Sequence, residues 1–178
     1  MQSLTPGRRP WPVMLLGMPL LMAACGPHGD GARRNGTFVG TVVPPFPAEL
    51  APAGMQAFPG DSPGYALELV FGTDRQMLWL TRATGGGDPA GSREVVAVLD
   101  IPREEQNVSL VYTPGACRVD GVVDPEIIVL ARVTFAPRLE EVVLAWRADR
   151  GASQFDEVPA SAVTCRNPRY PGEARNDS

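Results

Sequence analysis

The chain has 178 residues, 44% of them hydrophobic and 20% charged, with a formal net charge of −4. That length holds one ordinary globular domain and is cramped for two. All sixteen basic residues are Arg, and His28 is the single His, which excludes a P-loop, a Schiff-base lysine and, outside the neighbourhood of His28, a Ser-His-Asp or Cys-His device.

Arg8 and Arg9 precede an apolar run from Trp11 to Ala24, fourteen residues interrupted by Pro12 and Pro19. A membrane-spanning helix needs about 20 apolar residues. The run therefore reads as the h-region of an export signal. Met22-Ala23-Ala24-Cys25 resembles the bacterial lipobox, in which an aliphatic residue and two small ones precede a Cys, with Met22 standing where Leu is usual. The resemblance covers residues 8 to 26. It implies cleavage before Cys25 and a diacylglyceryl group on the Cys25 sulfur. It also implies a further acyl chain, of the palmitate kind, on the new N-terminus. Several chains anchor firmly where one is marginal, because each buried CH₂ adds ~0.8 kcal/mol. A plain secretory signal and a retained apolar helix are the alternatives. Gly26 stands where an Asp would mark inner-membrane retention, so the resemblance implies an outer-membrane lipoprotein facing the periplasm. The Arg-only composition also fits a Gram-positive source, where the domain would face outward.

With Cys25 acylated, Cys117 and Cys165 remain as a pair that can oxidise outside the cytoplasm. A bridge between them would close a loop of about 49 residues and stabilise by up to ~4 kcal/mol. Two separate buried thiols are the alternative; two thiols without His or CxxC spacing are a poor zinc set. Cleavage removes Arg8 and Arg9 and no acid, leaving 14 Arg against 20 Asp and Glu, a net charge of −6. The membrane partner is then engaged through lipid and not through charge, and nucleic acid is not an expected partner.

Gly26 to Gly36 is polar and Gly-rich. It reads as a flexible tether with a reach of ~15–20 Å, along which Arg33 and Arg34 could meet lipid phosphates. Thr37 to Val43 is β-branched and reads as the first strand. Pro44 to Pro63 holds six Pro in 20 residues, which excludes a central strand and a helix interior. It reads as a long irregular loop, whose stretch between Ala48 and Gly60 is removable without unfolding the domain. Phe46, Met55 and Phe58 are the expected partner-binding anchors on it; an unremarkable surface crossover is the alternative.

Strand signals follow in order. Tyr65 to Phe71 alternates, with Tyr65, Leu67, Leu69 and Phe71 on one face, and Gln76 to Arg82 completes a hairpin. Glu94 to Ile101 puts Val95, Ala97, Leu99 and Ile101 on one face. Val108, Leu110 and Tyr112 alternate next. Glu126 to Phe135 and Leu139 to Ala148 form another hairpin, and Ala162 to Cys165 ends the set. Short strands with turn signals every 8 to 12 residues predict an all-β domain over 37–170, an antiparallel sandwich or small barrel. A frayed tail follows over 171–178. The segment from Ala145 to Asn167 resembles the ends of small proteobacterial envelope proteins; that resemblance implies no activity.

Candidate chemistry is sparse. Gly85-Gly86-Gly87-Asp88 lacks the Lys of a phosphate cradle and runs into Pro89. Asp120, Asp124 and Glu126 do not match an EF-hand loop and read as turn chemistry. Glycosidases need two carboxyls facing one cleft. The pairs to consider are Asp100 with Glu104 and Glu105, Glu140 with Glu141, and Asp156 with Glu157. Neighbours on a regular strand point to opposite faces. Asn107-Val108-Ser109 matches a glycosylation sequon, a coincidence in a bacterial chain. Trp79 and Trp146 read as core residues. No cofactor, metal set or catalytic group is expected. The sequence predicts a lipid-anchored envelope protein that binds or assembles with another envelope protein. A small envelope-polymer hydrolase or hydrolase inhibitor is the alternative.

Overall fold

The structure, a computed structural model, describes residues 37–59, 64–85, 91–102, 108–139 and 141–170. The export signal, Cys25, the tether, Asp88, Glu104, Glu105, Asn107, Glu140 and the tail lie outside them. The described residues form antiparallel strands arranged in three sheets, with one short 3₁₀ turn at Ala160–Ala162.

The first sheet is built from β1 (Val42–Val43), β2 (Ala51–Ala57), β3 (Tyr65–Phe71), β4 (Gln76–Ala83) and β5 (Arg93–Ile101). Its order is β1-β5-β4-β3-β2. The second sheet takes β6 (Val108–Val111), β9 (Ile127–Arg132), β11 (Val142–Asp149) and β12 (Gln154–Glu157), in the order β12-β11-β9-β6. The third takes β7 (Cys117–Val119), β8 (Val122–Val123), β10 (Arg138–Leu139) and β13 (Val163–Arg166), in the order β10-β13-β7-β8.

Three cores hold these sheets together. Leu67, Leu78, Leu80, Ala97 and Leu99 of the first sheet meet Ile128, Leu130, Trp146 and Phe155 of the second. The opposite face of the second sheet, with Ile127, Val129 and Ala145, packs on Cys117, Leu139, Val163 and Cys165. The second sheet is therefore buried on both sides. That explains why Ile127 to Ala131 is a continuous apolar run instead of an alternating one. Phe38 and Leu50, on either side of β1, cover the outer face of the first sheet, packing with Val43 of β1 on Val70, Met77, Trp79 and Val95. Trp79 and Trp146 are core residues, as their strand positions predict.

Several local expectations are corrected. Thr37 to Val43 is mostly turn: Gly40 takes φ +88° and only Val42–Val43 pairs, with β5. Residues 44 to 63 are not loop throughout, because β2 runs through them. Pro52 is tolerated there since β2 is the outermost strand, where a missing N–H costs no ladder bond. With Leu50 and Phe58 buried in two cores and β2 pairing with β3, this stretch cannot be removed without loss of structure. In β5, the register slips between Leu80 and Thr81 of its partner, leaving Val96 as the extra residue. One extra residue reverses the facing of everything before it. Val95 accordingly packs on the outer face while Ala97, Leu99 and Ile101 keep to the inner one.

Asp120 and Gly121, both at positive φ (49° and 81°), join β7 to β8 with Val119 opposite Val122. This is the Asp-Gly turn of a two-residue hairpin, whose twist suits the flanking strands. Gly121→Val is expected to cost about 1–2 kcal/mol, the penalty of a side chain in the left-handed region. A urea titration of wild type and variant checks it; equal midpoints would refute it.

Candidate functional site

The outer face of the first sheet carries two charged side chains that are almost fully buried. Glu68 of β3 is 5% exposed and Arg93 of β5 is 4% exposed. The bulge at Val96 puts Arg93 on this face; regular alternation with Ala97 and Leu99 would have turned it inward. Thr81 of β4 stands between the two. Arg93 Nε donates to Thr81 Oγ1 at 2.8 Å and lies 3.4 Å from Glu68 Oε1. Arg93 Nη2 donates to the carbonyls of Gly64 (2.6 Å) and Thr81 (3.2 Å). The Thr81 hydroxyl donates to Glu68 Oε1 at 3.0 Å.

Burial pushes the Glu68 carboxyl above the ordinary carboxylate value, with Thr81 and Arg93 pulling the other way. Burial also lowers the Arg93 guanidinium, partly offset by Glu68. A buried pair of this kind contributes little net stability over an apolar packing, but leaving either member alone is costly.

Above the pair lies an open cleft of about 240 Å³. Val43, Pro44 and Phe46 form one wall; Pro52, Gly54 and Met55 of β2 form the other; Glu68, Gly91 and Arg93 complete the lining. Phe46 is held by stacking on Trp79, with ring centroids 6.0 Å apart. The walls are apolar and the polar groups few, as in ligand-binding concavities. A larger cavity of about 390 Å³ between β5 and β12 has Asp156 as its sole charged lining residue among those described, and Asp156 accepts a hydrogen bond from Gln154.

The expected anchors separate. Phe46 and Met55 line the same cleft, and Met55 is 41% exposed. Phe58 does not join them: it is 4% exposed in the core between the first two sheets, with the Arg150 guanidinium 4.7 Å from its ring centre. Its place as an anchor is corrected for that reason. Glu68 and Arg93 carry no local signal in the sequence. The apolar run Met77 to Leu80 was the available clue, since a strand buried on both faces forces charges on its neighbours to be buried and paired.

Asp124, Glu126 and Glu141 are engaged by Arg. Arg147 donates to Asp124 Oδ2 through Nε and Nη2 (3.1 and 2.9 Å), Arg150 to Glu126 (2.6 Å) and Arg132 to Glu141 (2.6 Å). The Glu126 backbone N–H donates to Asp124 Oδ1, closing the predicted turn. Cys117 and Cys165 are bonded, with Cα atoms 4.0 Å apart. They face each other directly across β7 and β13. The flanking Arg166 N–H to Ala116 carbonyl bond makes theirs a non-hydrogen-bonded pair, the closer of the two antiparallel spacings. Comparison with protein-family models, curated proteins and solved structures finds no match for the chain.

Proposed function

We propose that the chain is a bacterial envelope lipoprotein, held by lipid on Cys25 at the periplasmic side of the outer membrane. Its β domain binds another envelope protein without catalysing a reaction. The observation that carries the export half of this reading is the Cys117–Cys165 bond. Disulfides persist in oxidising compartments, and this pairing leaves Cys25, in its lipobox-like setting, as the third sulfur. The binding half is supported by the cleft that brings Phe46 and Met55 together over Glu68 and Arg93.

Labelled palmitate is expected to enter the wild-type protein, while Cys25→Ser stays unlabelled and leaves the membrane fraction. Equal labelling of both would overturn the anchor. A photo-crosslinking residue at Met55 is expected to capture a partner protein in intact cells. The same residue at Val122, exposed on the third sheet, serves as the control. Capture from Val122 and not from Met55 would overturn the cleft as the binding surface.

A further inference from the structure

Among the described residues no strand pairs with the edge of the first sheet beside the cleft. Phe58 N–H donates to the Tyr65 carbonyl, so residues 58 and 65 form a hydrogen-bonded pair. Counting back along the register, Gln56 with Leu67 and Gly54 with Leu69 are bonded pairs as well. The N–H and C=O groups of Met55 and Ala57 therefore point away from β3, out of the sheet edge. Among the described residues nothing bonds to them. Two residues spaced by two, each offering a donor and an acceptor, are what an added strand pairs with.

Natural edge strands are blunted by charge, Pro or a bulge. In β2, Pro52 and the register slip at Ala53 blunt the first half only. Gly54 to Ala57 holds no charge, and from Pro44 to Pro59 the single charged residue is Glu49. The open half is also where the cleft lies. Met55 lines it and stands directly across from Glu68, so an occupant paired with Met55 passes over the cleft mouth. At about 240 Å³ the cleft falls below the ~300–1,000 Å³ of drug- and cofactor-sized sites. That size suits one apolar side chain.

We propose that an extended segment of a partner polypeptide adds to β2 at Met55 and Ala57 and seats one apolar side chain in the cleft between Phe46 and Met55. Main-chain pairing supplies affinity and the cleft selects the side chain. The carboxylate and guanidinium of Glu68 and Arg93, a balanced pair in the lining, favour a neutral side chain over a charged one. This deepens the binding reading above and rests on it for the class of partner.

The probe is the capped peptide acetyl-Thr-Val-Leu-Val-Thr-amide, titrated into the isotope-labelled full-length protein in detergent and followed by NMR. It is expected to shift the Met55 and Ala57 amides and the Met55 methyl. A copy N-methylated at alternate residues, unable to pair with an edge, is expected to bind at least tenfold more weakly. So is a copy with Gly in place of the central Leu. Ala57→Pro removes an outward N–H that takes no part in the ladder with β3. It should weaken the parent peptide at least tenfold while the remaining amide spectrum stays native. Equal binding of the N-methylated peptide would overturn strand addition. Absence of shifts at millimolar peptide, or doubling of the protein's mass in its place, would overturn a partner segment as the occupant. Any of these with crosslinking from Met55 intact defeats this proposal alone; loss of the crosslink defeats the binding reading beneath it.

Discussion

Arg93→Met is expected to destabilise the domain by about 3–5 kcal/mol, the cost of leaving one member of a buried pair behind. Methionine fills much of the volume of the Arg stem, so the loss comes from charge and hydrogen bonds. Three described donor contacts vanish, to Thr81 Oγ1 and to the carbonyls of Gly64 and Thr81. Glu68 then sits buried with Thr81 as its remaining polar neighbour. Its carboxyl, already above the ordinary 4.5, moves further up. The folded state then binds a proton that the unfolded state has released. Stability falls as pH rises from about 4.5 through the folded-state value, and acidification restores it. The variant's deficit should be larger at pH 8 than at pH 5. Glu68→Leu combined with Arg93→Met removes both charges and is expected to recover most of the loss. Urea unfolding followed by the fluorescence of buried Trp79 and Trp146 reads all three proteins. A loss below about 1 kcal/mol, with no pH dependence, would show that the pair is not buried as described.

Removing the disulfide by Cys117→Ala with Cys165→Ala is expected to cost up to ~4 kcal/mol, from the entropy the unfolded chain regains over a loop of about 49 residues. The third sheet has few other means of holding together. β7 has three residues, β8 and β10 two each, and β13 four. Amides of β7 and β13 should therefore lose exchange protection before those of β4 and β5, which are held by a long register and two cores. Denaturant midpoints with and without reductant, together with hydrogen exchange, test this. A change below about 1 kcal/mol, or uniform loss of protection, would contradict it.

Much of the strand layout was legible because alternation and turn chemistry are local. Tyr65 to Phe71 and Gln76 to Ala83 stand near their predicted bounds, whereas β9 pairs with β11 as predicted but both stop three residues short of the expected turn, where Arg138 and Leu139 leave to form β10 of the third sheet. The pairing of Cys117 with Cys165 was legible by counting sulfurs. The candidate site was not, for two reasons. The sequence carries no mark of the bulge at Val96, and a single extra residue moves Arg93 from one face to the other. The outer face of the first sheet is covered by Phe38 and Leu50, far from Glu68 in sequence, so an alternating strand that reads as half-exposed is buried on both sides. The proline-rich stretch misled in the opposite sense. Pro excludes a central strand but not an edge, and nothing local distinguishes Met55, which stays at the surface, from Phe58, which does not.

The first sheet is complete within residues 42 to 101, and its partner sheet begins only at Val108. A chain that emerges from the membrane N-terminus first can pair β2 through β5 before Trp146 and Phe155 have crossed. Until they do, the row of Leu67, Leu78, Leu80 and Leu99 has nothing to close against. The half-built domain is then a sticky plate, and the interval before residue 155 emerges is when a holding chaperone has most to do for this protein.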